Sequence, residues 1–243
     1  MRYGIFGDIH SNLSALRAAH AALTQRGVER FLSVGDVVGY GAAPGECIDF
    51  LQDIDALVVR GNHDAACAGL LDPIEFNVSA RQAIAWTRRH LKREHLEWLR
   101  QLPLTLKLAD CQVTHGSFEN PAEFNYTLDI ETAAPSFSFI ERVGFVGHSH
   151  IPIMVVQPYE AGGKLALCVE DSLLLDEIHK ALINVGSVGQ PRDEDPRCAV
   201  GYFDSEAQRI EILRLAYDLD REVARIRQAG LPTVLADRLR LGL

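Results

Sequence analysis

Residues 3–10 read Tyr-Gly-Ile-Phe-Gly-Asp-Ile-His. A short apolar run stops at Gly7, and Asp8 and His10 follow, two residues apart. The run turns polar too soon for a secretion signal and reads as a first buried strand. Ser11 or Asn12 then caps a helix that carries Leu13, Leu16, His20 and Leu23 near one face, and Gly27 ends it. Residues 31–34 give a second strand, residues 46–52 a helix beyond the glycine-rich loop 35–45, and residues 56–59 a third strand. The order strand–helix–strand–helix–strand argues for parallel pairing with right-handed crossovers. In such sheets a ligand sits beyond the carboxyl ends of the strands.

Downstream the pattern changes twice. Residues 65–102 are poor in β-branched side chains, and the spacing predicts helices over 80–90 and 94–102, closed by Pro103. Strands then return as three hairpins: 104–108 with 112–114, 153–157 with 164–169 about the turn 160–163, and 199–203 with 209–215. An apolar run at 143–146 reads as another strand. Residues 218–241 read as two helices broken at 230–232, free either to cover a sheet face or to build a dimer. The expectation is one α/β domain over 1–243, with a helical insertion at about 65–102 near a cleft mouth and a C-terminal helical extension at about 218–241.

Composition narrows the class. At 243 residues and 47% hydrophobic, the chain can bury a substantial core. A net charge of −9 argues against long nucleic acid, which needs a basic face. The one basic run, Arg88, Arg89, Lys92 and Arg93, alternates with Trp86, Leu91 and Leu96 and reads as the solvated face of an amphipathic helix. No apolar stretch approaches the ~20 residues that span a membrane. Five cysteines, odd in number and without a CxxC pair, suit a reduced, cytoplasmic chain.

The polar residues cluster at the ends of the apolar runs. They are Asp8-Ile-His10, Gly35-Asp36, Gly61-Asn62-His63-Asp64, His115-Gly116 and Gly147-His148-Ser149-His150. One such group reads as an Asx-turn. A lone His-x-His is weak, although side chains two apart on extended backbone point the same way. Five groups, each after a buried run and each beside glycine, point to a metal site at the strand ends.

In this order the motifs resemble the calcineurin-like metallophosphoesterase superfamily. Asn184-Val-Gly-Ser-Val-Gly-Gln-Pro-Arg192 is similar to its small bacterial and archaeal phosphodiesterase-type branch. The resemblance implies a four-layer α/β/β/α sandwich of two mixed sheets flanked by helices. It also implies two metal ions: Asp8, His10 and His150 hold the first, Asn62, His115 and His148 the second, and Asp36 bridges them. Mixed histidine and carboxylate donors suit Mn, Fe, Co, Ni or Zn, and a bridging carboxylate fits ions ~3.5–4 Å apart. Two such ions bring about +4, against about −2 from Asp8 and Asp36, so the site favours a hydroxide and a phosphate ester despite the acidic chain.

The implied reaction is in-line attack of a metal-bridging hydroxide on phosphorus, with His63 protonating the leaving alkoxide and Asp64 orienting His63. Arg60, Tyr40 and Arg192 are candidate substrate contacts, with Phe118, Asn125 and Tyr126 as further cleft candidates. His20, His90, His95 and His179 lie outside every motif and read as ordinary helix or surface histidines. The protein phosphatases and symmetrical dinucleoside tetraphosphatases look like Gly-Asp-x-x-x-Arg-Gly in the second block, where this chain has Gly39-Tyr40-Gly41 and no arginine. That departure weighs against a phosphoprotein or dinucleoside-polyphosphate role and favours a phosphodiesterase-like or broad phosphoesterase reading, with a phosphomonoester kept as an alternative. A non-catalytic scaffold on the same fold should have lost a ligand or His63, and all are present. The expected partner is a small phosphate ester, with no membrane; a homo-oligomer stays open.

Overall fold

The structure is a computed structural model and describes residues 1–160 and 162–243. Ala161, in the expected turn 160–163, lies outside the described residues. The chain begins with β1 (Arg2–Phe6), α1 (Leu13–Gln25), β2 (Arg30–Ser33), α2 (Pro44–Asp53) and β3 (Leu57–Val58). Three helices follow, α3 (Asn62–Ala68), α4 (Val78–His90) and α5 (Arg93–Gln101). Next come β4 (Thr105–Lys107), β5 (Gln112–Thr114), α6 (Ile130–Ala133), β6 (Val143–Val146), β7 (Ile153–Pro158), β8 (Ala166–Cys168), β9 (Ser172–Leu174) and β10 (Ile178–Asn184). The chain closes with β11 (Cys198–Asp204), β12 (Arg209–Leu215), α7 (Leu219–Gln228) and α8 (Thr233–Leu241).

Two six-stranded mixed sheets form, ordered β3-β2-β1-β11-β12-β9 and β4-β5-β6-β10-β7-β8. The expected parallel unit is β3-β2-β1. The second sheet is less of a hairpin stack than the sequence suggests, because β6 pairs in parallel with both β5 and β10. The three expected hairpins are present as antiparallel pairs β4–β5, β7–β8 and β11–β12.

Alternation along β1 explains the layers. Tyr3 and Ile5 join a core that also takes Phe145 and Ile183 from the other sheet, whereas Phe6 faces Leu16, Leu23 and Ile48 of α1 and α2. Val146, Val155 and Leu182 cover the far side with Phe137 and Ile140. The result is the four-layer α/β/β/α sandwich.

Local chemistry sets the ends of the elements. Asn12 caps α1, its Oδ1 accepting from Ala15 N at 3.0 Å. Pro44 sits in the first turn of α2, where its missing N–H costs nothing. The helix α3 was not expected from the sequence and starts inside the Asn62-His63-Asp64 motif itself. The C-terminal helices pack on other helices: α7 lies on α1, and both α7 and α8 pack against Tyr40 and α4.

Candidate active site

The five polar strand ends converge on one edge of the sandwich. His10, Asp36, Tyr40, His148 and His150 all have φ between +46° and +68°, a region that side chains other than glycine rarely adopt. Such strain persists only where the surroundings over-determine it, and here the loops are tied to one another. Asp8 O accepts from Gly189 N at 2.8 Å and from Ser187 Oγ at 2.7 Å. Asn184 Nδ2 donates to Gly147 O at 2.6 Å and to Ser149 Oγ at 2.8 Å. The 184–192 motif thus laces the first and last of the loops together. Glycine is needed at 61, because a Cβ there would overlap the Asp36 carboxylate.

These ties aim the donors. His10, His115 and His150 each donate Nδ1–H to a backbone carbonyl, of Val38 at 3.0 Å, Val34 at 2.8 Å and Gln190 at 2.6 Å respectively. A carbonyl has no proton to give, so in the neutral rings each Nε2 carries a bare lone pair. Those lone pairs converge: His10 Nε2 lies 3.0 Å from His150 Nε2, and His115 Nε2 lies 3.1 Å from His148 Nδ1 and 3.0 Å from Asn62 Oδ1. Asp36 stands between the two groups, its Oδ2 3.6 Å from His10 Nε2 and 3.5 Å from His115 Nε2, while its Oδ1 accepts from His63 N at 2.8 Å. Asp8 Oδ2 is 3.4 Å from His150 Nε2.

Two sets of donors therefore share Asp36: Asp8, His10, Asp36 and His150 on one side, and Asp36, His115 and His148 on the other, with the donor atoms of each set within 4.8 Å of one another. Either set could hold a metal ion. Electrostatics supports the fit. Burial pushes His10, His63, His115, His148 and His150 below the usual histidine range, so each is a neutral donor. Burial, with the charges of Asp64 and Asp8, pushes the Asp36 carboxyl well above its usual range. Burial is the largest single influence on Asp8 and works against its ionisation, but His150, His115 and His148 together outweigh it and hold that carboxyl below its usual value. Opposed lone pairs and crowded carboxylates form an arrangement that divalent cations relieve.

The remaining sequence candidates divide. His63 is buried and lines the cleft, yet its Nδ1 has no hydrogen-bond partner. The expectation that Asp64 orients it is corrected: Asp64 accepts from Gly61 N at 3.0 Å and Val38 N at 3.2 Å, and burial lifts its carboxyl to about 6. Both oxygens are occupied by backbone donors, so Asp64 braces the 36–38 loop against α3. Arg60 donates to Arg100 O at 3.0 Å and is not among the described residues that line the cleft.

Tyr40 and Arg192 do line the cleft, which has a volume of about 620 Å³. Of the further candidates, Tyr126 lines it and stacks on His148, with ring centroids 3.9 Å apart. Phe118 is buried in the outer core, and Asn125 pairs with Glu123. Sequence reasoning missed Phe76, which meets the His63 ring edge-on at 4.9 Å, and Gln190, whose carbonyl fixes the His150 tautomer. No signal marked Phe76, whereas Gln190 lay unremarked inside the 184–192 motif. His95 is a core histidine bonded to Asp49 at 2.9 Å. Among the described residues no helix is long and apolar enough to cross a membrane.

A two-sheet sandwich whose strand ends present two histidine–carboxylate sets sharing one aspartate is the layout of a metal-dependent phosphoric ester hydrolase. Residues 1–206 match the calcineurin-like phosphoesterase superfamily domain, and the chain belongs to that family. A metallophosphoesterase from Sphaerobacter thermophilus superposes with a TM-score of 0.87 at 36% identity, over 100% of this chain and 99% of that one. An uncharacterised protein of Methanocaldococcus jannaschii is 37% identical over 98% of this chain and 97% of its own length. A hypothetical protein of Pyrococcus horikoshii, 20% identical, shares the fold with a TM-score of 0.80 over 100% of this chain and 98% of that one.

Proposed function

We propose that the chain hydrolyses a small phosphodiester at a centre of two transition-metal ions, with manganese a suitable occupant. Asp8, His10 and His150 would hold one ion and Asn62, His115 and His148 the other, with Asp36 shared between them. When bound, the ions supply Lewis acidity towards the phosphoryl oxygens and ionise the attacking water near neutral pH. The chain's own residues do the rest. Asp36 is held for bridging by the backbone N–H of His63. His63 faces the cleft, takes up the proton released when the attacking water ionises and passes it to the departing alkoxide, while Phe76 and Tyr40 pack its ring in place. Arg192 places its guanidinium against the phosphate and leaves one bridging oxygen free to carry the second ester group.

The observation that carries the diester reading is the charge of the cleft. Among its described lining residues Arg192 is the one arginine or lysine, while Asp72, Glu75 and Glu123 line the outer part. A diester brings a single negative charge and so meets the least repulsion from those outer carboxylates. A monoester dianion or a polyphosphate would bring more charge against those carboxylates. The same acids disfavour long nucleic acid. The five cysteines are unpaired, which suits a reducing, cytoplasmic compartment.

The test is hydrolysis of bis-p-nitrophenyl phosphate beside p-nitrophenyl phosphate, on metal-stripped protein reloaded with Mn, with Asp36→Asn as control. The expected result is faster turnover of the diester, lost in the variant. Faster turnover of the monoester overturns the diester reading.

A further inference from the structure

The matched family segment ends at residue 206, yet α7 and α8 lie beyond it and pack behind the cleft wall. Their route is Tyr40. This residue is 5% exposed, has φ +55°, and shares an apolar cluster with Val223 and Ile226 of α7 and Leu235 and Leu239 of α8. Its ring also meets His10 at 4.6 Å and His63 at 4.5 Å. At the cleft, Arg192 Nη2 reaches Tyr40 Oη at 3.4 Å and Gln190 Oε1 at 3.1 Å, and the guanidinium carbon lies 5.8 Å from the Tyr40 ring centre.

Arg192 is under-partnered. Among the described residues no carboxylate pairs with it, and its Nε is buried without a hydrogen-bond acceptor. A guanidinium kept from a protein anion beside a phosphoesterase centre is a group held for a ligand's anion. The loop that follows it is gripped from the same side. Glu194 N donates to Gly242 O at 2.9 Å, just past the end of α8. Gly242 has φ +66°, and a Cβ there would come within 2.6 Å of Asp195 N. Farther back, the buried Glu222 of α7 accepts from Ser14 N at 3.1 Å and Ser14 Oγ at 2.6 Å, which clamps the pair onto the start of α1.

We infer that the C-terminal helix pair positions the substrate clamp: α7 and α8 set Tyr40 from one side and the 193–195 loop from the other, and between them fix the Arg192 guanidinium on the phosphate. Tyr40 and Gly242 are positioning residues that act through Arg192. The proposal rests on the reading of Arg192 as the phosphate contact. It does not require that the diester be the preferred substrate.

The test uses inorganic phosphate as probe. Its Kd on the Mn-loaded full chain is measured by isothermal titration, with metal content and bis-p-nitrophenyl phosphate kinetics alongside. Tyr40→Phe keeps the ring and removes the hydroxyl. Its phosphate Kd and KM are expected to rise about tenfold, with a smaller change in kcat and the metals retained. Combined with Arg192→Gln it should add nothing further, because the two lie on one route. Gly242→Val should raise Kd in the same way from outside the cleft. Additive effects of Tyr40→Phe and Arg192→Gln overturn the proposal, and so does Gly242→Val with an unchanged phosphate Kd. If the wild type binds phosphate but leaves bis-p-nitrophenyl phosphate intact, the diester reading fails, and the titrations still decide this one.

Discussion

The Nε2 atoms of His10 and His150 face each other at 3.0 Å, and neither has a proton to share. Each ring has given its Nδ1–H to a backbone carbonyl, of Val38 and Gln190. Two opposed lone pairs at that distance repel unless a cation lies between them. His10→Ala should therefore lower the bound metal by one ion per chain, read by elemental analysis after reloading, and reduce turnover by at least about a hundredfold. Unchanged metal content would remove His10 from the ligand set.

His63 lies beside this centre with different expectations. Its backbone N–H holds Asp36, and that bond survives substitution, whereas the ring faces the cleft. In His63→Asn, kcat should fall about 10²- to 10⁴-fold while metal content stays near the wild-type value. A parallel loss of metal would show that the ring supports the ligands rather than the leaving group.

Asp64 separates what the sequence conveyed from what it withheld. The motif identified an acid next to His63, and its neighbour in sequence was the natural partner to assign. The backbone turn at Gly61 instead directs the carboxylate to Gly61 N and Val38 N. Asp64→Asn can replace one of those bonds but not both, so it should destabilise the protein by about 1–3 kcal/mol. The readout is thermal or chemical unfolding of the metal-free chain. A variant as stable as the wild type would contradict the bracing role.

The candidate metal donors were legible as a group because each cluster follows a buried apolar run, and strand periodicity fixes where such a run ends. The four layers came from the family resemblance, since the apolar runs alone indicate only α/β with added hairpins; in the structure Ile5 and Phe6, neighbours in sequence, face different cores. Arg60 and Phe76 were not legible. The direction of Arg60 is decided by the carbonyl of Arg100, forty residues away, and Phe76 reaches His63 only because the 69–77 segment folds back over the cleft. Long-range contacts of single side chains leave no local pattern. The destination of α7 and α8 was open for the same reason, since an amphipathic helix shows that one face is covered but not by what.

Tyr126 tests how far support around the ligands matters. Its ring stacks on His148 at 3.9 Å with 14° between the planes, while the residue is 47% exposed. Tyr126→Ala removes that support without touching a donor atom. The ion held by His148 should bind about tenfold more weakly, measured by competition with a chelator, while the ion held by His10 and His150 keeps its affinity. Equal weakening of both ions would mean that the variant disturbs the whole cleft.

The buried histidines also set the acid stability of the metal-free chain. His10, His63, His115, His148 and His150 all have folded pKa values below the ordinary 6.5 because of burial. As pH falls below about 6.5, the unfolded chain takes up protons that the folded chain refuses, so stability present above that pH is lost towards acid. Asp64, raised to about 6, and Asp36, raised in the same direction, act oppositely. Their contribution is present below the ordinary 3.8 and is lost as pH rises through the folded values. Five imidazoles against two carboxylates leave the histidines in control. The metal-free protein should therefore melt at a lower temperature at pH 5.5 than at pH 7.5. Metal-loaded protein should lose stability more steeply over the same interval, because protonating a ligand also releases its ion. A metal-free melting temperature that rises towards acid would show that Asp36 and Asp64, and not the imidazoles, dominate the titration of the empty site.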